Sequence, residues 1–296
     1  MKIFVTGAAG FVGSHLVPHL IKNNYQVTAL VKSKKEITAV NQNVNIVLGD
    51  LSRLSSWRNT LKGNDLIIHL AAQISSKSPE LFKKNNVIAT RNLISAAKKA
   101  KIKKLILFSS AAVSSIRKDW YAKSKEEKEK LTVNSNLEYA ILRPSMMYGP
   151  GDTKNMGWLI NFIKRYPFVP LPGGGKFGRQ PIYIEDICKI VLKLIKRDFK
   201  NEIYEIHGYE YVTMKKMVNT IIKNLNKKRI VIQIPIYLLI LSFAISEKIF
   251  PNPKFTVDQI KSLISGEKFK GEAWWKTFDI IPTRFEQGIA KMIKSK

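Results

Sequence analysis

A tyrosine and a lysine four residues apart are the side chains of this sequence best suited to acid–base chemistry. They are Tyr121 and Lys125, in the segment Tyr-Ala-Lys-Ser-Lys. Residues four apart on a helix share one face, so the two side chains would lie one turn from each other. A tyrosine with its ordinary pKa of about 10 is a poor base at neutral pH, and a neighbouring ammonium favours the phenolate. The pair therefore predicts a tyrosine with a lowered pKa that donates or accepts a proton.

A glycine-rich turn after the first predicted strand indicates a dinucleotide site. Gly7, Gly10 and Gly13 follow the spacing Gly-x-x-Gly-x-x-Gly, and Phe11 and Val12 open the predicted helix. Gly7 permits a tight turn, Gly10 lets the backbone approach a pyrophosphate, and Gly13 lets the helix pack closely on the strand. The free N–H groups of the helix N-terminus would then bind the anion.

Short apolar runs and helical patterns alternate along the first two thirds of the chain. Helices are predicted at residues 11–22 and 80–99, among others, and the strand-like runs are KIFV, QVTALV, VNIVLG, DLIIHL, KLILF and EYAIL. Near-continuous apolar strands that alternate with helices indicate a parallel sheet covered on both faces. We therefore predict an α/β doubly wound, Rossmann-like fold.

The composition of the sequence changes after Pro144, where proline and glycine cluster in YGPGD and PLPGGGKFG. Such clusters are typical of loops. We predict a dinucleotide-binding domain at residues 1–145 that also receives residues 179–206. Residues 146–178 and 207–296 are predicted to form a smaller C-terminal substrate-binding lobe.

With these features the chain resembles the extended short-chain dehydrogenase/reductase family, of the NAD-dependent epimerase/dehydratase type, over essentially its whole length. One departure is Ala89, which stands where the family usually has glycine. Further motifs that match the family are Gly49-Asp50, His69-Leu70-Ala71-Ala72, Asn86-Val87-Ile88-Ala89-Thr90, Arg143-Pro144 and Tyr148-Gly149-Pro150-Gly151.

The resemblance implies catalytic roles for Tyr121, Lys125 and Ser110, with Ser110 binding the substrate oxygen and Ser109 one residue out of register. It implies NAD or NADP as the cofactor, which carries the hydride chemistry. The residues expected to bind the cofactor are Gly7, Gly10, Phe11, Val12, Gly13, Lys32, Asp50, Leu51, Leu70, Ala71, Ala72, Asn86, Lys125 and Pro144.

Two features indicate the reaction. The segment Arg179–Asp186 resembles the family element whose arginine grips the diphosphate of a nucleotide sugar, and a guanidinium fork suits phosphate oxygens. A surface arginine beside a glycine-rich loop is the alternative interpretation of Arg179. Ala111 and Ala112 stand where sugar dehydratases carry an Asp-Glu pair, which disfavours dehydration. Epimerisation of a nucleotide-activated sugar is therefore the first hypothesis.

The end of the second strand favours a different reaction. It carries Lys32 and Lys34 and no acidic residue that would bind the ribose 2′-OH of NAD. The two lysines could meet a 2′-phosphate, which slightly favours NADP and makes an NADP-dependent ketone or aldehyde reductase the alternative. A non-catalytic nucleotide-binding assembly or RNA-binding subunit of the same fold is the third hypothesis.

The formal net charge of +28 is the unusual feature of the composition. The lysines are scattered over the polar faces of predicted helices, so we expect a solvated surface and no nucleic-acid partner. His15 and His19 are expected to be packing or surface residues, and no metal site is predicted. Cys188 is the single cysteine, which suits a reducing compartment.

The most apolar stretch, residues 230–250, is interrupted by Gln233, Pro235 and Glu247. It is too short to span a bilayer, and a strand that ends at Pro235 followed by a buried helix is expected. Docking at a membrane interface is the alternative. Together with a start that lacks a secretory pattern, this predicts a cytoplasmic protein. The family resemblance implies a small-molecule substrate and a possible homodimer through the helices that flank the Tyr121 segment.

Overall fold

The computed structural model describes residues 1–37, 40, 43–115, 118–249, 266, 268–269, 271 and 273–295. The chain divides into two structural units. The first comprises Met1–Ser145, Ile184–Ile206 and Gly271–Ile281, and the second comprises Met146–Tyr183, His207–Lys270 and Pro282–Lys296.

This division differs from the predicted boundaries at two places. Residues 179–183 fall in the second unit, where Ile182 and Tyr183 pair with Met147 and Tyr148. Residues 271–281 fall in the first unit, where the ring of Phe278 packs on Tyr204 with 5.0 Å between centroids.

The first unit is built on a seven-stranded sheet in the order β11-β6-β5-β4-β1-β2-β3, and every neighbouring pair is parallel. The apolar residues of its central strands β1, β4 and β5 are buried, which explains their continuous apolar sequence. This confirms the predicted Rossmann-like fold. The strands are β1 (Lys2–Thr6), β2 (Gln26–Val31), β3 (Asn45–Leu48), β4 (Leu66–His69), β5 (Lys104–Phe108), β6 (Glu138–Pro144) and β11 (Glu202–Ile206).

Helices connect these strands, and the predicted helix at 11–22 has the bounds that the structure shows. The predicted helix at 80–99 is continuous but contains a π-helical turn at Lys83–Ile88, a feature often found at functional sites. The α-helices of this unit are α1 (Phe11–Lys22), α2 (Lys34–Ile37), α3 (Pro79–Phe82), α4 (Ala89–Lys99), α5 (Trp120–Val133), α7 (Ile184–Lys196) and α10 (Trp274–Thr277). Two 3₁₀ helices span Ser56–Leu61 and Ala111–Ser114.

The two histidines of α1 have an acidic partner that sequence spacing did not reveal. In α7, Glu185 Oε1 lies 3.2 Å from His15 Nδ1, and Glu185 Oε2 lies 2.6 Å from His19 Nε2. Hydrogen bonds from both rings lower the pKa of Glu185 to about 2, against the opposing effect of burial. The histidines therefore tie α1 to α7, and within the described residues no cluster of three His, Cys, Asp or Glu side chains could hold a metal.

The second unit consists of small two-stranded sheets and helices around its own core. Tyr148, Ile160, Ile163, Ile221 and Ile289 are fully buried there. Its strands are β7 (Met147–Tyr148), β8 (Phe168–Pro172), β9 (Gly178–Arg179), β10 (Ile182–Tyr183), β12 (Val212–Thr213) and β13 (Ile230–Ile234). Its helices are α6 (Met156–Arg165), α8 (Met214–Leu225), α9 (Ile236–Ile249) and α11 (Phe285–Lys294), with a 3₁₀ turn at Gly173–Gly175.

Within the apolar stretch, Ile230–Ile234 forms the predicted strand and Ile236–Ile249 forms the predicted helix after Pro235, while residue 250 lies outside the described residues. The expectation that the helix is buried is wrong for Tyr237, Leu238 and Leu241, whose side chains are exposed. No helix in the described part of the chain is long and apolar enough to cross a membrane.

Candidate active site

The start of α5 places Tyr121 beside Ser110. Asp119 caps the helix by accepting a hydrogen bond from the Ala122 amide at 2.8 Å, which puts Tyr121 in the first turn. The Ser110 side chain lies close enough to the Tyr121 phenol to lower its pKa, and Lys125 Nζ lies 5.6 Å from the centroid of the Tyr121 ring. The three residues predicted to be catalytic therefore lie together.

Lys125 is almost completely buried, and its ammonium donates to the Phe108 carbonyl at the end of β5, at 2.8 Å. Burial lowers the pKa of Lys125 to about 8, and the negative charge of Glu129 partly opposes this effect. A lysine with that pKa is still mostly charged at pH 7. A cation therefore lies next to the tyrosine ring under physiological conditions.

The expected lowering of the Tyr121 pKa is wrong in this structure. Burial raises the pKa of Tyr121, the hydrogen bond from Ser110 lowers it, and the charge of Asp119 raises it further. The ammonium of Lys125 donates to the Phe108 carbonyl, and its charge is not among the influences that set the Tyr121 pKa in this structure. Tyr121 is therefore protonated at neutral pH, which is the state that can donate a proton.

The two serines at the end of β5 have different environments. Ser110 caps the 3₁₀ helix at Ala111–Ser114 by accepting from the Ala112 amide at 3.2 Å, and it contacts Tyr121. Ser109 is buried, and its hydroxyl has no hydrogen-bond partner among the described residues. Of the two serines, Ser110 is therefore the one whose side chain influences Tyr121.

The three glycines of the first turn are required for different reasons. Gly7 has a φ of +70°, and a Cβ there would lie 2.7 Å from the Ala71 amide nitrogen. A Cβ on Gly13 would lie 2.3 Å from the Ala8 carbonyl oxygen. A Cβ on Gly10 would meet only the Gly7 carbonyl, at 3.2 Å, and Gly10 is exposed. Folding thus requires Gly7 and Gly13, whereas Gly10 leaves open space in front of α1.

The N-terminus of α1 fits an anionic group. Its cap residue, Gly10, offers no capping side chain, and the first turn contains no acidic residue. The N–H groups of this turn and the positive end of the helix dipole therefore face the open space at Gly10. Phe11 and Val12, at the same turn, are half-buried. These residues fit the pyrophosphate of a dinucleotide.

A buried hydrogen-bond chain holds the loop after β4. His69 Nδ1 lies 2.7 Å from Thr6 Oγ1 and Nε2 lies 2.9 Å from Thr90 Oγ1, while Thr90 donates to the Asn86 carbonyl at 2.6 Å. Because the Thr90 hydrogen is used there, Nε2 must donate and Nδ1 must accept from Thr6. Burial, Lys128 and Lys125 hold the pKa of His69 well below its usual range, so the ring is neutral. Thr6 Oγ1 in turn accepts from the Ala71 amide at 3.3 Å.

Asn86 serves the same loop. Its side chain accepts from the Gln73 amide at 2.7 Å and donates to the Gln73 carbonyl at 3.0 Å and to Ser124 Oγ at 2.8 Å. Asn86 is fully buried, so in this structure it joins the loop to α5 and positions the predicted cofactor residues Leu70, Ala71 and Ala72, which are half-buried.

Lys128 is a buried residue of the site that the sequence analysis missed. It has no exposed surface, and its ammonium donates to the Ala71 carbonyl at 3.0 Å. Burial and the neighbouring charge of Lys125 hold the pKa of Lys128 well below its usual range. Because α5 is rich in lysine and glutamate, Lys128 looks like a surface residue in the sequence. Its position three residues after Lys125, on the same face of the helix, was the available indication that it faces the site.

A charged network fixes the other side of α5. The Arg143 guanidinium contacts both carboxylate oxygens of Glu129, at 2.6 to 3.2 Å, and Glu205 at 2.9 Å. These bonds raise the pKa of Arg143. The network joins α5 to β6 and β11, and Pro144, the residue after Arg143, is buried at the end of β6.

The positive charge at the end of β2 is partly compensated by acidic residues elsewhere in the chain. Lys32 Nζ lies 3.2 Å from Asp50 Oδ2, and the Lys32 amide donates to Glu36 at 2.8 Å. Hydrogen bonds from Ser52 and the charge of Lys32 lower the pKa of Asp50, although burial, the largest single influence, opposes them. The Leu51 side chain is buried in the core, so only the backbone of Leu51 could contact a cofactor.

Arg179 lies in the second unit, on β9, where it pairs with Val212 of the antiparallel strand β12. Its side chain is half-buried. The next residue, Gln180, is buried and contacts His207 Nδ1 at 3.2 Å.

Comparison with known proteins gives the family. Residues 3–206 match the model of the NAD-dependent epimerase/dehydratase family. The chain is 27% identical to UDP-glucose 4-epimerase of Vibrio cholerae over 80% of the chain and 79% of that protein. It is 33% identical to a putative dihydroflavonol 4-reductase of Synechocystis over 62% of the chain and 60% of that protein. The fold matches UDP-glucose 4-epimerase of Thermotoga maritima with a TM-score of 0.79 and 20% identity, over 99% of this chain and 98% of that one. The chain therefore belongs to the NAD-dependent epimerase/dehydratase family, and it is an NAD(P)-dependent enzyme of the extended short-chain dehydrogenase/reductase type.

Proposed function

We propose that the protein interconverts a hydroxyl and a keto carbon of a small molecule, with Tyr121, Lys125 and Ser110 as its catalytic residues. The observation that supports this most directly is the contact of Ser110 with Tyr121 beside the buried ammonium of Lys125. When bound, NAD(P) exchanges a hydride with the reacting carbon. The chain supplies the proton and the orientation.

In the proposed mechanism Ser110 and Tyr121 both hydrogen-bond the substrate oxygen. In the reductive direction the protonated phenol of Tyr121 donates its proton to that oxygen, and in the oxidative direction the phenolate accepts it. Lys125, whose ammonium lies 5.6 Å from the centroid of the Tyr121 ring, is the cation proposed to stabilise the phenolate once Tyr121 has given up its proton. The turn at Gly7, Gly10 and Gly13 and the loop at residues 70–72 are the proposed cofactor site.

The substrate class that we propose first is a nucleotide-activated sugar, with epimerisation as the reaction. The support is Arg179, whose guanidinium fork suits a diphosphate, and the presence of UDP-sugar epimerases among the similar proteins. Ala111 and Ala112, which follow Ser110, cannot move protons, so dehydration is not proposed.

An NADP-dependent ketone or aldehyde reductase is the second candidate, and the two lysines at the end of β2, Lys32 and Lys34, favour it. Similar proteins also include reductases, among them ceramide reductase of Caulobacter vibrioides at 32% identity over 57% of the chain. The nucleotide that co-purifies with the protein separates the two candidates, because tightly held NAD favours the epimerase and loosely held NADPH the reductase.

A cytoplasmic location and a homodimer remain predictions. The division into a cofactor-binding part and a substrate-binding part is also a proposal. If it holds, the first structural unit should bind the cofactor and the second should set the choice of substrate.

Removal of the Tyr121 hydroxyl tests the mechanism. Tyr121→Phe should lower kcat by about 10²–10⁴-fold, because a general acid–base group is lost, while the affinity for NAD(P) stays near that of the wild type. Steady-state kinetics and calorimetric titration measure the two effects. Tyr25→Phe, which removes a phenol outside the proposed site, is the matched control. Near-wild-type turnover in Tyr121→Phe on the true substrate would exclude the mechanism.

A side chain at Gly10 tests the cofactor site. Gly10→Val should fold with a modest loss of melting temperature, because its Cβ meets the Gly7 carbonyl at 3.2 Å and valine is a poor helix cap, but it should weaken NAD(P) binding by about a hundredfold or more, or about 3 kcal/mol. Gly13→Ala, in which the Cβ would meet the Ala8 carbonyl, should lower the melting temperature more than Gly10→Val does. Unchanged dinucleotide affinity in Gly10→Val would place the cofactor elsewhere.

The choice between NAD and NADP tests the role of Lys32 and Lys34. We expect NADP(H) to bind up to about tenfold more tightly at low salt, with a preference that salt screening reduces. The salt bridge of Lys32 to Asp50 limits the size of this preference for NADP(H). The double variant Lys32→Ala/Lys34→Ala should abolish the preference, whereas Lys98→Ala/Lys99→Ala, with the same loss of charge, should keep it. Tighter binding of NAD(H) by the wild type at low salt would refute this assignment.

A further inference from the structure

The second unit carries an exposed apolar surface that the proposed chemistry does not use. Its members are 43% to 69% exposed, although aromatic and aliphatic side chains of this size usually lie inside. We call it the apolar face, and its residues are Trp158, Tyr166, Phe168, Ile230, Ile232 and Tyr237.

The part of the apolar face formed by α6 is a row of rings. Trp158, Phe162 and Tyr166 are spaced four residues apart and therefore lie on one side of the helix. The ring centroids of Trp158 and Phe162 are 5.4 Å apart, and those of Phe162 and Tyr166 are 4.8 Å apart. The helix ends next to Tyr166, and the chain then enters β8 at Phe168.

The strands β8 and β13 continue this surface. They are parallel, with Phe168 opposite Ile230 and Pro170 opposite Ile232. Val169 and Leu171 alternate with these positions and are buried in the core, so the exposed residues form the outer side of the strand pair. This side is apolar, whereas a sheet face in contact with water is usually polar.

Helix α9 extends the surface further along the chain. It begins directly after β13, and a Cβ built on Gly173 at the end of β8 would lie 2.6 Å from Ile236 Cδ1. The start of α9 is thus close to the strand pair. Tyr237, Leu238 and Leu241 in its first two turns are exposed.

Basic residues border the apolar face. The Arg165 guanidinium lies 5.6 Å from the Tyr166 ring centroid. Arg229 donates to the carbonyls of Ile163 and Lys164, at 2.6 and 3.0 Å, and so joins the start of β13 to the end of α6. Lys227 and Lys228 come directly before it and are exposed. Neither residues 156–172 nor residues 223–246 contain an acidic residue.

We propose that the apolar face docks on the surface of an anionic lipid bilayer. Tryptophan and tyrosine are favoured at membrane interfaces because they combine an apolar ring with a polar group, and Lys227, Lys228 and Arg165 complement lipid phosphate and carboxylate groups. The aliphatic members, among them Ile230 and Ile232, offer no ring on which a nucleobase could stack, which disfavours single-stranded nucleic acid. The net charge of +28 attracts the protein to an anionic membrane.

Vesicle co-sedimentation of the full chain tests the docking. The protein should bind vesicles of phosphatidylcholine with phosphatidylserine at least about tenfold more tightly than vesicles of phosphatidylcholine alone, and added salt should reduce the difference. Bound protein should remain extractable by salt or carbonate, since the docking is interfacial. Equal affinity for both vesicles, or no binding to either, would overturn the proposal.

Matched variants locate the surface. Lys227→Gln/Lys228→Gln should weaken binding to the anionic vesicles about tenfold, whereas Lys98→Gln/Lys99→Gln, with the same change in net charge, should not. Ile230→Ser should weaken it as well, whereas Ile203→Ser, another exposed isoleucine on a strand, should not. Circular dichroism checks that each variant is folded. If Ile230→Ser does not fold, the lysine variants alone locate the surface.

Equal losses in the control variants would show that the net charge acts without the apolar face and would contradict the proposal. So would binding of polyuridylic acid that requires Trp158 and Tyr166, or self-association that depends on Ile230 in the absence of vesicles, because each assigns the surface to another partner.

Discussion

The arrangement of the candidate active site depends on the burial of the Lys125 ammonium beneath the end of β5. A buried charge is costly unless it is hydrogen-bonded and compensated. The Phe108 carbonyl provides the hydrogen bond, at 2.8 Å, and the Glu129 carboxylate provides compensation. Because the Phe108 carbonyl belongs to β5, its bond to Lys125 fixes the orientation of α5 against the sheet. This is the part of α5 where Tyr121 lies beside Ser110.

Other contacts restrain α5 from several directions. Glu129 is held by Arg143 of β6, Ser124 receives a hydrogen bond from Asn86, and Lys128 binds the Ala71 carbonyl. The same helix therefore positions the tyrosine that we propose to be catalytic and the loop that we assign to the cofactor. A change in the packing of α5 would therefore move both Tyr121 and this loop. This explains why Lys125 and Lys128 are buried at a cost in stability.

Periodicity predicted the sheet and the helices at residues 11–22 and 80–99, and helical spacing predicted that Tyr121 and Lys125 lie together. The position of Ser110 beside them was implied by the family resemblance. The sequence did not predict Lys128 or the pairing of His15 and His19 with Glu185, which depend on residues distant in the chain. The direction of the Tyr121 pKa shift was also wrong. Proximity in sequence cannot show that the Lys125 ammonium is directed at a carbonyl, or that burial outweighs its charge.

The pH dependence of stability tests the burial of the Lys125 charge most directly. The pKa of Lys125 is about 8 in the folded protein and about 10.5, its ordinary value, in the unfolded chain. Between these pH values the unfolded chain binds more protons, so the free energy of unfolding should rise with pH. Relative to Lys125→Met, denaturant titration of the wild type from pH 7 to 10 should show a flat difference up to about pH 8 and then a rise of at most about 1.4 kcal/mol per pH unit. A difference that stays constant over the whole range would mean that the ammonium is solvated, and would contradict the account.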